Sequence, residues 1–204
     1  MEKKFELTDK FVFNTFGIKL FQIKCTKSFK YAKEGDLGGY VEKDENLDQE
    51  SDAWVYGNAQ VSGNARVSGN AQVSGNARVS GNAQVYGNAQ VYGNAWVYGN
   101  ARVYGNAQVY GDAWVYGDAQ VSGDADIEND NNHCGFDCFG SCNRHTHAYL
   151  TKDNKVEITC GCFRGSIEEF EKKVEKTHSG KIYEKQYKAI INVIKIKFGL
   201  TDLI

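Results

Sequence analysis

AWVYGN AQVSGN ARVSGN AQVSGN ARVSGN AQVYGN AQVYGN AWVYGN ARVYGN AQVYGD AWVYGD AQVSGD, residues 53–124, is twelve uninterrupted copies of A-x-V-x-G-[ND], and a decayed thirteenth, ADIEND (125–130), follows. The first and third residues are always Ala and Val; the second is Gln, Arg or Trp and the fourth is Ser or Tyr. Side chains two apart on a strand share a face, so each copy reads as a short strand with Ala and Val on one side. Gly followed by Asn or Asp then turns the chain, because these residues reach positive φ at least cost.

Two folds fit such a pattern at first sight. If each Gly-Asn pair is a two-residue hairpin loop, the chain is an antiparallel meander. Its cross-strand partners are then Tyr or Ser with Ala, and Val with Gln or Arg, so neither sheet face is apolar. If each pair instead bends the chain by a third of a turn, every Ala and Val converges on one axis and all other side chains face outward. Three copies then close an eighteen-residue coil, and parallel coils about 4.8 Å apart make a stack of about four, roughly 19 Å tall. The second arrangement is the one expected.

The V-x-G-N-A-x step resembles the hexapeptide motif of left-handed parallel β-helix proteins, whose best-known members are acyltransferases. The left-handed sense comes from that resemblance alone. GDLGGYVEKDENLDQESDAWVYGNA (35–59) is similar to the lead-in segment of hexapeptide-repeat proteins common in phages and Gram-positive bacteria. The tail from FGSCNRHTH (139–147) to IINVIKIKF (190–198) resembles the small domain that ends many of them. Such proteins are described as polymer-forming cytoskeletal or acyltransferase-like.

The expected chain is therefore mainly β, in three parts. An N-terminal β lid and lead-in occupies 1–52, the hexapeptide-repeat left-handed parallel β-helix 53–130, and a small α+β cap 131–204. Within the lid, FVFNTFGIKLFQIKC (11–25) reads as a hairpin around Asn14 to Gly17. In the cap, His147–Thr151 and Val156–Cys162 read as two strands joined by Asp153 and Asn154. Ser166 with Glu169 forms a capping box for a helix bearing Ile167, Phe170 and Val174. A second helix over 182–198 aligns Tyr183, Tyr187, Ile190, Ile191 and Ile194, with Gly199 as its stop. The cap is thus expected to be ββαα. Near-identical copies do little to prevent slippage by whole repeats, so the two end pieces must fix the register.

A formal charge of −2 and a pI near 6.1 give no chain-wide attraction to nucleic acid or anionic membrane, and neither is expected as a partner. MEKKFELTDK lacks the apolar run of a signal peptide, and no stretch approaches the roughly 18 apolar residues of a membrane span. A cytoplasmic location is expected, and with it six cysteines that are thiols or metal ligands. Proline is absent.

Three constellations could carry function. The outward aromatic set comprises Trp54, Trp96 and Trp114 at second positions and Tyr56, Tyr86, Tyr92, Tyr98, Tyr104, Tyr110 and Tyr116 at fourth positions. An eighteen-residue coil stacks Trp96 under Trp114, Tyr98 under Tyr116, Tyr92 under Tyr110 and Tyr86 under Tyr104. These are either ladders that stiffen the coil, a surface for self-association or another protein, or a small-ligand site. The second constellation is HCGFDCFGSCNRHTH (133–147) with Cys160 and Cys162, eight potential zinc ligands of which Cys134, Cys138, Cys142 and His145 are the foremost candidates. No C-x-x-C spacing occurs there, and buried or partly exposed thiols are the alternative.

The third is the transferase chemistry that the resemblance implies, with a histidine on or near the coil as general base and an extruded acceptor loop. No histidine lies between Ala53 and Asp130 and no copy is interrupted, so a base would have to come from His133, His145 or His147 of a neighbouring subunit. His178, after the first helix, reads as a helix-end residue. The late run of Asp112, Asp118, Asp124, Asp126, Glu128 and Asp130 reads as a solvated rim, since turn positions accept Asp as they accept Asn. The expected function is a non-catalytic scaffold or protein-binding module without cofactor. It self-associates as a dimer or trimer, binds another protein, and could be phage-borne and directed at a host defence. An acyl-CoA-dependent transferase is the rival.

Overall fold

The computed structural model describes residues 2–200. Each copy contributes its second and third residues as a two-residue strand. Thirteen of these, from β4 (Trp54–Val55) to β16 (Asp126–Ile127), follow at six-residue intervals. Each of the first ten pairs in parallel with the strand eighteen residues on. On one face Trp54 aligns with Gln72, Gln72 with Gln90, Gln90 with Gln108, and Gln108 with Asp126. The chain is therefore a β-solenoid of about five turns, and the meander is excluded. Every repeat Ala and Val is buried around the common axis. The decayed copy completes the stack, with Ala125 and Ile127 in the core.

Glycine at the corners is required twice over. Gly93 sits at φ +71°, and a Cβ there would lie 2.9 Å from the Gly111 nitrogen of the next turn. The Asn94 N–H donates to the Gly111 carbonyl at 2.8 Å, so the corners themselves carry the hydrogen-bonded stack. Outside each corner the Asn side chains form ladders. Asn64 Nδ2 donates to Asn82 Oδ1 at 3.2 Å, Asn82 to Asn100 at 3.0 Å, and Asn100 to Asp118 at 2.9 Å. The other two ladders likewise end on an acid, at Asp112 and Asp124.

At the amino end, β1 (Phe5–Phe13) and β2 (Lys19–Cys25) form the expected hairpin, turned at Asn14–Gly17 with Asn14 Oδ1 accepting the Phe16 and Ile18 amides. β3 (Leu37–Val41) pairs antiparallel with β2 and parallel with the coil, Tyr40 beside Gln60. The solenoid thus draws its first turn from residues before Ala53, with Leu47 bridging to Val67. Open carbonyls at this end of the coil are met by side chains. Asn46 Nδ2 donates to Gly63 O and Ala65 O, and Lys4 Nζ to Ser51 O and Ala53 O at 2.6 and 2.9 Å.

The carboxyl end corrects the ββαα expectation. Its sheet has four antiparallel strands, β17 (His133–Phe139), β18 (Arg144–Leu150), β19 (Val156–Cys160) and β20 (Phe163–Ser166), followed by α1 (Ile167–His178) and α2 (Ile182–Lys197). Both additional strands lie at the sheet edges and contain glycine, which strand interiors disfavour, so propensity does not single them out. Cys160 and Cys162 do not share a strand face either, because Gly161 turns the chain at φ +61° and leaves Cys160 buried and Cys162 exposed. The Ser166 and Glu169 capping box and the buried Ile167, Phe170 and Val174 are as expected. The sheet docks on the last turn through buried Tyr149, whose hydroxyl lies 3.3 Å from Ser122 Oγ, and through Thr159 Oγ1 donating to Gln120 O at 2.9 Å.

Two outcomes follow. Gly93→Ala strains a positive φ and presses a methyl on backbone, so chemical denaturation should show a loss of about 2 kcal/mol or more, against little change for the outward Gln90→Ala. Burial pulls the Lys4 ammonium down to about 8 from its ordinary 10.5, with Asp48 and Asp52 opposing. The folded chain then releases that proton before the unfolded chain does, so stability rises with pH between these two values. The Tm advantage of the native chain over Lys4→Met should widen across that interval.

Candidate functional site

In-register pairing at the eighteen-residue offset places like residues over like. The rings of Trp96 and Trp114 stack at 5.0 Å and 17°, and those of Tyr98 and Tyr116 at 5.3 Å and 16°. Tyr86 and Tyr104 stack at 5.0 Å, and Tyr92 and Tyr110 at 4.9 Å. The Trp and Tyr98 stacks share one face, where Trp96 meets Tyr98 edge-on at 6.4 Å and the Arg78 guanidinium lies 4.8 Å over Trp96. Because the rings cover one another, they turn edges outward. Of the stacked rings, Trp114 at 44% and Tyr116 at 52% are the exposed ones. Burial raises the phenols of Tyr86, Tyr92, Tyr98 and Tyr110 above their ordinary value, so all four stay neutral hydrogen-bonding groups.

Trp54 and Tyr56 do not belong to this exposed set. Trp54 points outward from the coil yet is 1% exposed, because Phe29 at 5.4 Å and Phe5 at 6.4 Å close over it. Tyr56 is half-buried, its hydroxyl donating to the Tyr31 carbonyl at 3.3 Å. In exchange the amino-terminal hairpin adds aromatic surface that the repeat pattern does not announce. Phe11, Phe13 and Phe16 are exposed, and Phe16, with Asn14 and Thr15, shares a shallow recess with Gln60, Arg78 and Trp96. The signal is the apolar run FVF ahead of a turn, which reads equally well as buried lid.

The four foremost metal candidates are not brought together. Cys134 faces the helices beside Ala148, and burial pushes its thiol up to about 11. Cys138 and Cys142 are exposed. His145 lies on the opposite side of the sheet from Cys134, with Nδ1 donating to Asp137 Oδ1 at 2.6 Å. Among the described residues, no group of three His, Cys, Asp or Glu side chains could hold a metal ion. The histidines do cluster: His133 Nδ1 is 3.1 Å from His147 Nε2, and His133 Nε2 is 3.3 Å from Asp130 Oδ1. Burial lowers the basicity of His133 against the pull of Asp130. That of His147 falls well below the ordinary histidine value through burial and the neighbouring His133 and His145.

The repeats are similar to a family described as the YdcK Beta solenoid repeat, which matches residues 59–71, 71–87, 83–99, 89–105, 95–111 and 107–123. The likeness covers the coil and neither end piece. No curated protein matches the chain. Among the described residues, no helix is long and apolar enough to cross a membrane.

The two environments of tryptophan give a direct comparison. Trp54→Ala empties a covered site and should cost about 3–5 kcal/mol. Trp114→Ala removes one exposed member of a stack and should cost about 1 kcal/mol. Urea denaturation of the two variants checks the difference.

Proposed function

We propose that this chain is a non-catalytic scaffold whose aromatic face binds protein, in the first place a second copy of itself. One observation carries the reading: the open rings of Trp114 and Tyr116 and the 74% exposed Phe16 border the same coil face, with stacked Trp96 and Tyr98 between them. Apolar rows of this kind are rarely left in water by a monomer. Rungs repeating about every 5 Å also match an identical array, since the edges of one set fit between those of the other.

In this reading the coil is left-handed, as the hexapeptide step of the acyltransferases suggests, and assembles as a dimer or a trimer in the cytoplasm. It is a phage-borne or Gram-positive protein, and a further protein, such as a component of a host defence, occupies whatever aromatic surface self-association leaves free. The rival transferase reading gains no histidine on the coil and no interrupted turn.

Light scattering coupled to size exclusion tests the proposal. The native chain should run as an oligomer, and Trp114→Glu combined with Phe16→Glu should give a folded monomer. A native chain that is monomeric at every concentration, or an oligomer untouched by both substitutions, overturns it. Acetyl-CoA should leave Tm unchanged, whereas a ligand held at 100 times its Kd would add about 2.7 kcal/mol.

A further inference from the structure

The helix side of the cap encloses a recess that shares no residue with the aromatic coil face, so its chemistry is independent of the scaffold reading. Arg144, Thr146 and Ala148 alternate onto one side of β18, and Ala148 packs in one cluster with Phe170, Val174 and Tyr187 of the helices. Where the turns after β17 and β19 approach α1 there is a cavity of about 260 Å³. Its apolar walls are Phe163, Phe170, Val174 and Tyr187. The rings of Phe163 and Phe170 stand 5.0 Å apart at 42°, and Tyr187 meets Phe170 edge-on at 5.6 Å. Such a volume lies just under the roughly 300–1,000 Å³ of small-molecule sites, enough for one ring and a short chain.

The charges around these walls are of one sign. Arg144 and Lys173 line the cavity, and no Asp or Glu does so among the described residues. The ion pairs of the cap helices and β20 join Arg164 to Glu157, Lys188 to Glu175 and Glu184, and Lys195 to Glu171. Among the described residues, Arg144 and Lys173 enter none of them. Turn shape makes room for the arginine: its guanidinium lies against Gly161, at φ +61°, where a Cβ would come within 2.5 Å of Nη1. On α1, Phe170, Lys173, Val174 and Thr177 follow at three- and four-residue steps, so the second cation shares the face of the apolar wall. Burial raises the Tyr187 phenol above its ordinary value, so this hydroxyl, 3.8 Å from Cys160 Sγ, adds no competing negative charge.

We infer that the cap binds one small organic carboxylate with a flat apolar body, its ring against Phe163, Phe170 and Val174 and its carboxylate on Arg144 and Lys173. The apolar walls gain by excluding water, which an inorganic anion would not do for them. The guanidinium fork suits a carboxylate, which it can hold by two parallel hydrogen bonds, and the ammonium supplies a second charge. Space for one ring makes the ligand a free small molecule and not a stretch of protein chain. Cys142 and Cys162 are exposed thiols that line the same cavity, whereas exposed Cys138 does not, so occupancy has a reporter and a control within the chain.

Calorimetric titration of the full chain with 3-phenylpropanoate, its amide and 3-phenylpropylamine tests the assignment. The acid should bind one to one, the amide about 10-fold or more weaker, and the amine not at all. Arg144→Gln should weaken the acid by about 10–100-fold, to the level of the amide, and leave the amide unchanged. Lys173→Gln, on the exposed side of α1, is the second arm and should weaken the acid several-fold with the fold intact. Bound acid should slow alkylation of Cys142 and Cys162 by N-ethylmaleimide and leave Cys138 unaffected. No saturable binding of the acid at millimolar concentration, equal affinity for acid and amide, affinity unaltered in both variants, or binding that protects neither thiol overturns the proposal.

Discussion

The corner is the constraint on which everything else depends. Each turn of the solenoid bends at a glycine whose φ is positive and whose missing side chain lets the next glycine's backbone lie directly beneath it. Stacking at the corners fixes the rise between turns, and the rise fixes what neighbouring side chains can do. Residues at the same step of successive coils must meet at about 5 Å, whether they are amides, phenols or indoles. Ladders are therefore a consequence of the corner. They add to a stack whose centre is already dry, because the Ala and Val positions exclude water along the whole axis.

The amide ladders are also directional. Lys43 Nζ donates to Asn64, and the chain of donations runs through Asn82 and Asn100 to Asp118. A carboxylate can close such a chain and cannot continue it. Were the coil to slip by a full turn, an acid would occupy an internal rung and leave the next amide without its donor. The substitution of Asp for Asn in the last three Gly-Asx corners, which a turn preference alone would treat as neutral, thus distinguishes the ends of an otherwise repetitive stack.

Most of the fold was legible because the repeat is short and strict. Residue spacing alone put Trp96 over Trp114 and each tyrosine over its partner, and the capping box and helix faces could be read from local pattern. What escaped the reading depends on contacts distant in sequence. Nothing near Trp54 says that Phe5 and Phe29 will cover it, so its outward position alone predicts an exposure that these two rings remove. HCGFDCF alternates as a strand should, with His133, Gly135 and Asp137 on one side, but its cysteines dominate a reading by ligand type. The sheet then separates what the spacing suggested, sending Cys134 toward the helices and the imidazoles toward the coil. The H-x-H of His145 and His147 was the informative spacing, since on a strand it guarantees a shared side.

The last layer of the coil explains why the histidines gather where they do. On two faces the aromatic stack stops one turn early: Tyr104 is followed by Ser122, and Tyr110 by Glu128. Ser122 is small enough to be buried under Tyr149 and bonded to it, so that face is sealed by the cap. On the third face the stack continues into the final layer, and Tyr116 offers an uncovered ring that no further coil can meet. Asp130, the first side chain beyond the coil to reach this face, accepts the Trp114 amide at 2.9 Å and with the same oxygen contacts His133. The open end of the aromatic stack and the imidazole cluster are thereby joined through one carboxylate, so that an exposed aromatic edge and two buried nitrogens without a hydrogen-bond partner border a single cavity. Such a junction arises only because the stacks have unequal length. A coil with all three faces ended alike would present the cap with three equivalent rims and nothing to orient it.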